Sequence, residues 1–233
     1  MKINKNDFSF EESLKYLDRL GADMTDNEGM RAFRSMEQDE LPVDRVVKVF
    51  CVAMSIKIIK KFSHAGVHTE YVHAGTVSQI LHVLQSAVQL RQVEMQVDGG
   101  IMALFDAPMK KDVEDIINIS AQVRSINDVV LKKFRLPLGE QTVSVGLEYG
   151  PVSYFASRYS NLEGVCYGGT IQRAKKLADV KDDSVNISED IYMNLSEDMQ
   201  DNLFVNKEMT GDVKYFFSQL INIRMRKWVV ENK

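Results

Sequence analysis

Val97-Asp98-Gly99-Gly100-Ile101-Met102-Ala103-Leu104-Phe105 is a hairpin written into the chain. An Asp-Gly-Gly between apolar runs marks a tight turn, because glycine takes positive φ without the clash that a Cβ brings. Residues 91–95 and 100–105 are therefore the predicted strands on either side of it, and Pro108 closes the unit.

Working outward, residues 46–59 form a continuous apolar, β-branched run, which predicts a central strand covered on both faces. Gly66, His68, His73 and Gly75 mark a loop, and residues 77–90 follow as a helix with Ile80, Leu84, Ala87 and Val88 on one face. After the hairpin, residues 112–134 carry an imperfect helical stripe through Val113, Ile116, Ile117, Ala121, Val123 and Val130. Residues 142–149 alternate as a strand, and Gly150-Pro151 is read as a turn before Val152-Ser153-Tyr154. A short apolar piece at 165–167, a helix at 170–177 and a strand at 185–187 come next. Ser188 with Glu189 opens another helix by its capping tendency, and two strands are expected at 213–217 and 221–228. The order is βααβ then βαβ: an α/β sandwich of the ferredoxin-like kind, with a mostly antiparallel central sheet and flanking helices.

Residues 1–45 are set apart from this unit as an N-terminal helical arm, with the domain at 46–233. Within the arm, Phe10, Leu14, Leu17 and Leu20 recur at three- and four-residue spacing and predict a helix over 10–20, ended near Gly21. The chain has 233 residues, enough to bury a large core without staples. Its two cysteines, Cys51 and Cys166, lie far apart, and Cys51 sits in an apolar run as a small buried hydrophobe. A formal charge of −4 with interspersed signs does not suit a polyanion partner, so no nucleic acid is expected. Lys57, Lys60 and Lys61, then Lys132 and Lys133, are short basic spots without interleaved aromatics. No stretch has the length of a membrane span, and a cytoplasmic protein without a membrane partner is expected. His64, His68, His73 and His82 have no cysteine or carboxylate pattern around them that would make a zinc site.

Three patterns together resemble the class III nucleotide cyclase catalytic domain, and within it the bacterial pyrimidine (uridylate/cytidylate) cyclases of Pycsar antiphage defence. Met54-Ser55-Ile56-Lys57-Ile58-Ile59 stands where that family has a strand ending in Asp-Ile-Arg/Lys-Gly. The hairpin matches Gly-Asp-Gly-x-Met-Ala-x-Phe. Tyr167-Gly168-Gly169-Thr170-Ile171-Gln172-Arg173-Ala174-Lys175-Lys176-Leu177 matches Gly-x-x-x-Asn-x-Ala-x-Arg/Lys-Leu. The likeness covers residues 46–228. It implies attack of a nucleoside triphosphate 3′-oxygen on its own α-phosphorus at a dimer interface. Two divalent ions would be held by two carboxylates, while an Asn and a cation from the facing subunit would stabilise the transition state.

Carried onto this chain, the resemblance puts the first carboxylate position at Ser55 and the second at Gly99, because Met102, Ala103 and Phe105 fix the register. Asp98 is a weak metal candidate, one residue out of place. The transition-state positions fall on Gln172 and Lys176, the base-reading positions on Gln96 and Val165. Tyr154, Phe155 and Tyr159 lie near the expected dimer face. The expectation is a catalytically degenerate protein that needs no cofactor. It would act as a structural, regulatory or nucleotide-sensing subunit in a homodimer or beside another cyclase-like chain, with a nucleoside triphosphate as possible ligand. The alternative is an active pyrimidine cyclase making cUMP or cCMP with Mg2+ or Mn2+, using Asp98 together with Glu94 or Asp106.

Overall fold

The computed structural model describes residues 46–61, 67–155, 165–211 and 213–232, together with Lys15 and the pair 31–32. The predicted helix at 10–20 lies outside the described residues except at Lys15, which is helical and exposed. The elements run β1 (Arg31–Ala32), β2 (Val46–Lys60), α1 (Val67–Gln85), β3 (Leu90–Met95), β4 (Ile101–Phe105), α2 (Lys110–Lys133) and β5 (Gln141–Phe155). They continue with β6 (Val165–Tyr167), α3 (Gly169–Val180), β7 (Val185–Ser188), α4 (Glu189–Met193), α5 (Glu197–Leu203), β8 (Asn206–Thr210), β9 (Val213–Ser218) and α6 (Ile223–Glu231).

The spine is one long antiparallel ribbon. β2 pairs with β5 from Val46↔Phe155 to Lys60↔Gln141 without a register shift. The sheet order is β3-β4-β2-β5-β7-β9-β8, with β1 beside β2 and β6 beside β5. All pairings are antiparallel except β1 with β2 and β5 with β7. Alternation along β2 sends Val52, Met54 and Ile56 under α1 and α2, where Ile80, Leu84, Ile116 and Ile117 meet them. Val49, Cys51 and Ala53 face the other way, toward Ile171 and Ala174 of α3. Each large aliphatic side chain sealed in these layers stabilises the fold by about 1.5–3 kcal/mol.

Close packing of α3 depends on one glycine. A Cβ at Gly146 would lie 2.2 Å from the Ala174 carbonyl oxygen and 2.3 Å from the Ala178 nitrogen, so the helix backbone rests directly on β5. On the opposite face a buried amide network ties three elements together. Gln141 Nε2 donates to Thr76 Oγ1 (2.7 Å) and Asn127 Oδ1 (2.8 Å), and Asn127 Nδ2 donates back to the Gln141 carbonyl (2.8 Å). Unpaired amides in such a place would cost about 1–3 kcal/mol each, so the network fixes how α1 and α2 sit on β5.

Four expectations need correction. The helix after β2 begins at Val67, ten residues earlier than predicted, and His73 and Gly75 belong to it. Gly75 is a contact point between helices: its Cβ would stand 3.5 Å from the Phe134 ring and 3.7 Å from Val130. Gly150-Pro151 does not turn the chain, because Pro151 stays paired opposite Phe50 and its carbonyl accepts from Thr170 Oγ1 (2.7 Å). Proline forfeits only an N–H and its φ is compatible with extended chain, so long-range pairing overrides local turn chemistry here. Residues 221–228 do not form a strand. Asn222 caps α6, its Oδ1 accepting from Met225 N–H (3.1 Å), and Lys133 lies 5.1 Å from the Trp228 ring centre. The β-branched Ile221, Ile223, Val229 and Val230 imitate a strand, yet the cap and the packing on α2 select helix. The expectation that β2 is covered on both faces holds for Cys51 to Ile56, whereas residues 46–50 alternate buried and exposed. Helix α5 and the fully exposed strand β8 carry no apolar pattern that would announce them.

Candidate functional site

Ser55 and Gly99, the two positions at which the sequence resemblance expects carboxylates, lie on β2 and at the tip of the β3–β4 hairpin, where a Cβ at Gly99 would stand 4.0 Å from His73 Nε2 of α1. Ser55 sits on the α3 face of β2, opposite Met102 on β4 and Gly146 on β5, and only 7% of it is exposed. Two residues further on, Lys57 emerges on the same face and its ammonium pairs with Asp179 of α3. That carboxylate raises the Lys57 pKa above its ordinary value. Beside it Lys61 reaches Asp182 at 3.7 Å, so two of the basic residues singled out in the sequence are engaged in ion pairs.

The hairpin tip closes with Gln96 N–H donating to the Gly100 carbonyl (2.8 Å) and Gly99 N–H to the Gln96 carbonyl (2.9 Å). Gly99 stands at φ +82°, a left-handed conformation that costs a side-chain-bearing residue about 1–2 kcal/mol. Asp98 is exposed, and its Oδ1 accepts the Gly100 N–H at 3.0 Å, bracing the turn. The turn also comes close to β2, since a Cβ at Gly100 would be 3.0 Å from the Ile56 carbonyl oxygen. Ser55 offers a hydroxyl, Gly99 offers no side chain, and the Asp98 carboxylate already has a backbone partner. Divalent magnesium is held in such sites by carboxylates and phosphates, so these residues do not fit a two-ion centre. Among the described residues no group of three or more His, Cys, Asp and Glu side chains is arranged to hold a metal ion.

The alternative carboxylates stand elsewhere. Asp106 follows β4 at the end away from the turn, separated from it by about 16 Å of strand, and is buried with the Arg91 guanidinium 3.5 Å away. Glu94 lies opposite Met102 and accepts from Gln92 Nε2. It lines a cavity of about 140 Å3 between the hairpin and α3, together with Gln96, Leu104, Cys166, Gln172 and Lys175. The structure thus brings Gln96 and Gln172, two of the residues singled out in the sequence, into one concavity. Lys176 is exposed on α3 outside that lining, and Val165 is an exposed residue of β6 paired with Phe155. Burial pushes the Cys166 thiol up to about 12, and its Sγ lies 3.0 Å from Gln92 Oε1; Cys51, deeper still, is raised further by burial. Burial holds both in the thiol form rather than the nucleophilic thiolate.

The sequence pattern singles out Glu94 only as an alternative metal ligand, and passes over its neighbour Gln92 on the same strand face and the residue Lys175. Their period-two spacing on an edge strand facing the predicted helix at 170–177 was the available signal. It also passed over the ion pair beneath α3. Glu148 is 2% exposed, accepts from Arg173 Nε at 2.9 Å, and its carboxyl is raised above the usual range by burial, with Arg173 opposing the shift.

No protein-family model and no curated protein matches the sequence. Among solved structures, the same fold occurs in the adenylyl cyclase CyaB from P. aeruginosa, with a TM-score of 0.59, 12% identity, and 74% of this chain and 95% of that one covered. It occurs in a class III adenylyl cyclase-like ATP-binding protein from Pseudomonas aeruginosa, with a TM-score of 0.62, 16% identity and 95% of this chain aligned. That alignment spans 48% of the longer protein. The guanylyl cyclase Cya2 gives a TM-score of 0.60 at 10% identity, covering 76% of this chain and 94% of its own. The chain therefore has a class III nucleotide-cyclase-like fold. Among the described residues, no helix is long and apolar enough to cross a membrane.

Proposed function

We propose that this chain is a cyclase-fold protein that has lost metal-dependent nucleotide cyclisation and serves in the cytoplasm as a structural, regulatory or nucleotide-sensing subunit of a dimer. The observation that carries this reading is the hairpin tip. A left-handed glycine, Gly99, stands where the resemblance expects a carboxylate, and one oxygen of the neighbouring Asp98 braces the turn. Ser55, tucked under α3, leaves the second position without charge. A cleft with Gln96, Gln172 and Lys175 still supplies amides and a cation for a nucleotide, with Lys176 exposed on the same helix for a facing subunit. At about 140 Å3 the cavity is smaller than an ordinary small-molecule pocket of about 300–1,000 Å3, which favours a site completed by a second chain.

The test is incubation of purified protein with ATP, GTP, CTP and UTP, each with Mg2+ or Mn2+, with mass-spectrometric detection of cyclic products. No cyclic nucleotide is expected, while calorimetry with the same triphosphates reads any retained binding. Appreciable product from any of them overturns the assignment.

The exposed Asp98 carboxylate, with Glu94 in the cleft, supports a second reading, an active pyrimidine cyclase producing cUMP or cCMP in antiphage signalling of the Pycsar kind. Under it, Asp98→Ala abolishes product formation from UTP or CTP. Turnover unaffected by that substitution would reject Asp98 as a ligand.

A further inference from the structure

A second concavity shares no residue with the cleft between the hairpin and α3. Its volume is about 490 Å3, within the range of about 300–1,000 Å3 usual for small-molecule sites. Its walls come from α2, the first residues of β5 with the loop before them, the turn ahead of β7, and the junction of β9 with α6. One ion pair frames it. Arg124 Nε donates to the Asp183 carbonyl (2.9 Å) and to Asp183 Oδ1 (3.1 Å), Nη2 lies 3.0 Å from Oδ2, and Nη1 donates to the Leu220 carbonyl. Those two charges are committed to each other and to tying both loops onto α2. The second pair is loose. Asp128 of α2 and Arg226 of α6 approach only to 3.8 Å, with side chains 32% and 48% exposed. Burial and the Asp183 carboxylate raise the Asp128 carboxyl above its ordinary range, with Arg124 and Arg226 opposing the shift. Thr142, only 7% exposed, lines the same concavity, and its hydroxyl has no hydrogen-bond partner among the described residues. A buried polar group without a partner is costly, and a ligand is one way to satisfy it.

We propose that this concavity binds a small zwitterion, a free α-amino acid, with its ammonium on Asp128 and its carboxylate on Arg226. The charges of the lining decide the class. Two arginines and two aspartates balance, and the Arg124–Asp183 pair is already satisfied, so one unlike pair is left to meet a ligand. A simple anion on Arg226 would lie against Asp128, and a simple cation on Asp128 would lie against Arg226. A molecule that carries both charges on neighbouring atoms answers both, and each charge taken from water then has its partner. The guanidinium fork suits a carboxylate, which it can hold through two parallel hydrogen bonds. Leu138 and Ile221, exposed at the same concavity, offer apolar surface to the side chain of such a ligand, and Gln219 offers an amide.

The experiment is calorimetric titration of the full chain with each of the common free amino acids in the millimolar range. At least one is expected to bind, and its N-acetyl derivative and its carboxamide, which remove the positive and the negative charge in turn, should each bind about tenfold or more weakly. Asp128→Asn and Arg226→Gln should each weaken the free amino acid by a similar factor. Inorganic phosphate and ethylammonium serve as probes of one charge only, and tighter binding of either overturns the proposal. So does the absence of heat with every amino acid, or a derivative that binds as well as its parent. The comparison of derivatives uses the unaltered protein, so it stands even where a substitution disturbs folding.

Discussion

The two halves of the β2–β5 ribbon have the same pairing and similar composition, yet they live in different surroundings. From Cys51 to Ile56 every residue of β2 is buried, pressed by α1 and α2 on one side and by α3 on the other. From Val46 to Phe50 burial alternates, and one face has no covering element among the described residues. What differs is layering, and layering decides which substitutions the protein tolerates. The sealed half also carries the candidate site, so the same tight packing that stabilises the sheet holds Ser55 away from solvent.

The strongest way to break this contrast is Gly146→Val, which drives a side chain into the backbone of α3. Loss of about 4 kcal/mol or more is expected, read as failure to fold or as a collapsed urea midpoint. Next comes a matched pair on one strand. Met54→Ala, fully buried, should cost about 2–5 kcal/mol in urea unfolding. Phe50→Ala, in the open half, should cost about 1 kcal/mol or less. Equal losses would mean that the open half is sealed as firmly as the closed one. At the hairpin, Gly99→Ala should cost about 1 kcal/mol, because its φ of +82° suits glycine; a neutral result would show that the turn can relax.

The smallest effect is electrostatic. Burial raises the Glu148 pKa in the folded state above its ordinary value, so the folded chain holds that proton to higher pH than the unfolded chain does. Stability therefore falls as pH rises from the ordinary carboxylate pKa of about 4.3 to the raised one, then stays level with respect to this group. Glu148→Gln should flatten that segment of the stability profile, measured by urea midpoints across the same window. Retention of the full slope would place its origin elsewhere.

Much of the fold could be read because it is encoded by near neighbours in sequence. The Asp98-Gly99-Gly100 turn, the alternation on both sides of it, and the stripe in α2 are local patterns with few competing structures. Ser188 capping α4, its Oγ accepting from Ile191 N–H at 3.3 Å, is legible for the same reason. The errors came where distant contacts outvote local chemistry. Gly75 resembles a loop residue until Phe134 is packed against it. Gly150-Pro151 has turn composition but is held straight by fifteen residues of β2. Residues 221–228 look β-branched but sit on α2 as a helix. At the candidate site the sequence reached Gln96 and Gln172 by motif. It missed Gln92 and Lys175, and it named Glu94 only as an alternative metal ligand, because what joins the three in one cleft is the approach of an edge strand to α3 across the sheet.

The sequence by itself determined the hairpin, the central strand, the chemical poverty of positions 55 and 99, and the amphipathic character of residues 10–20, since each is a matter of residue identity and short-range spacing. Only the tertiary structure decided that Lys57 is held by Asp179, and that among the described residues Val46 and Phe50 stay exposed on one sheet face. Those outcomes depend on which elements meet after the chain has crossed the sheet, and a contact between residues far apart in sequence leaves no periodic trace in either.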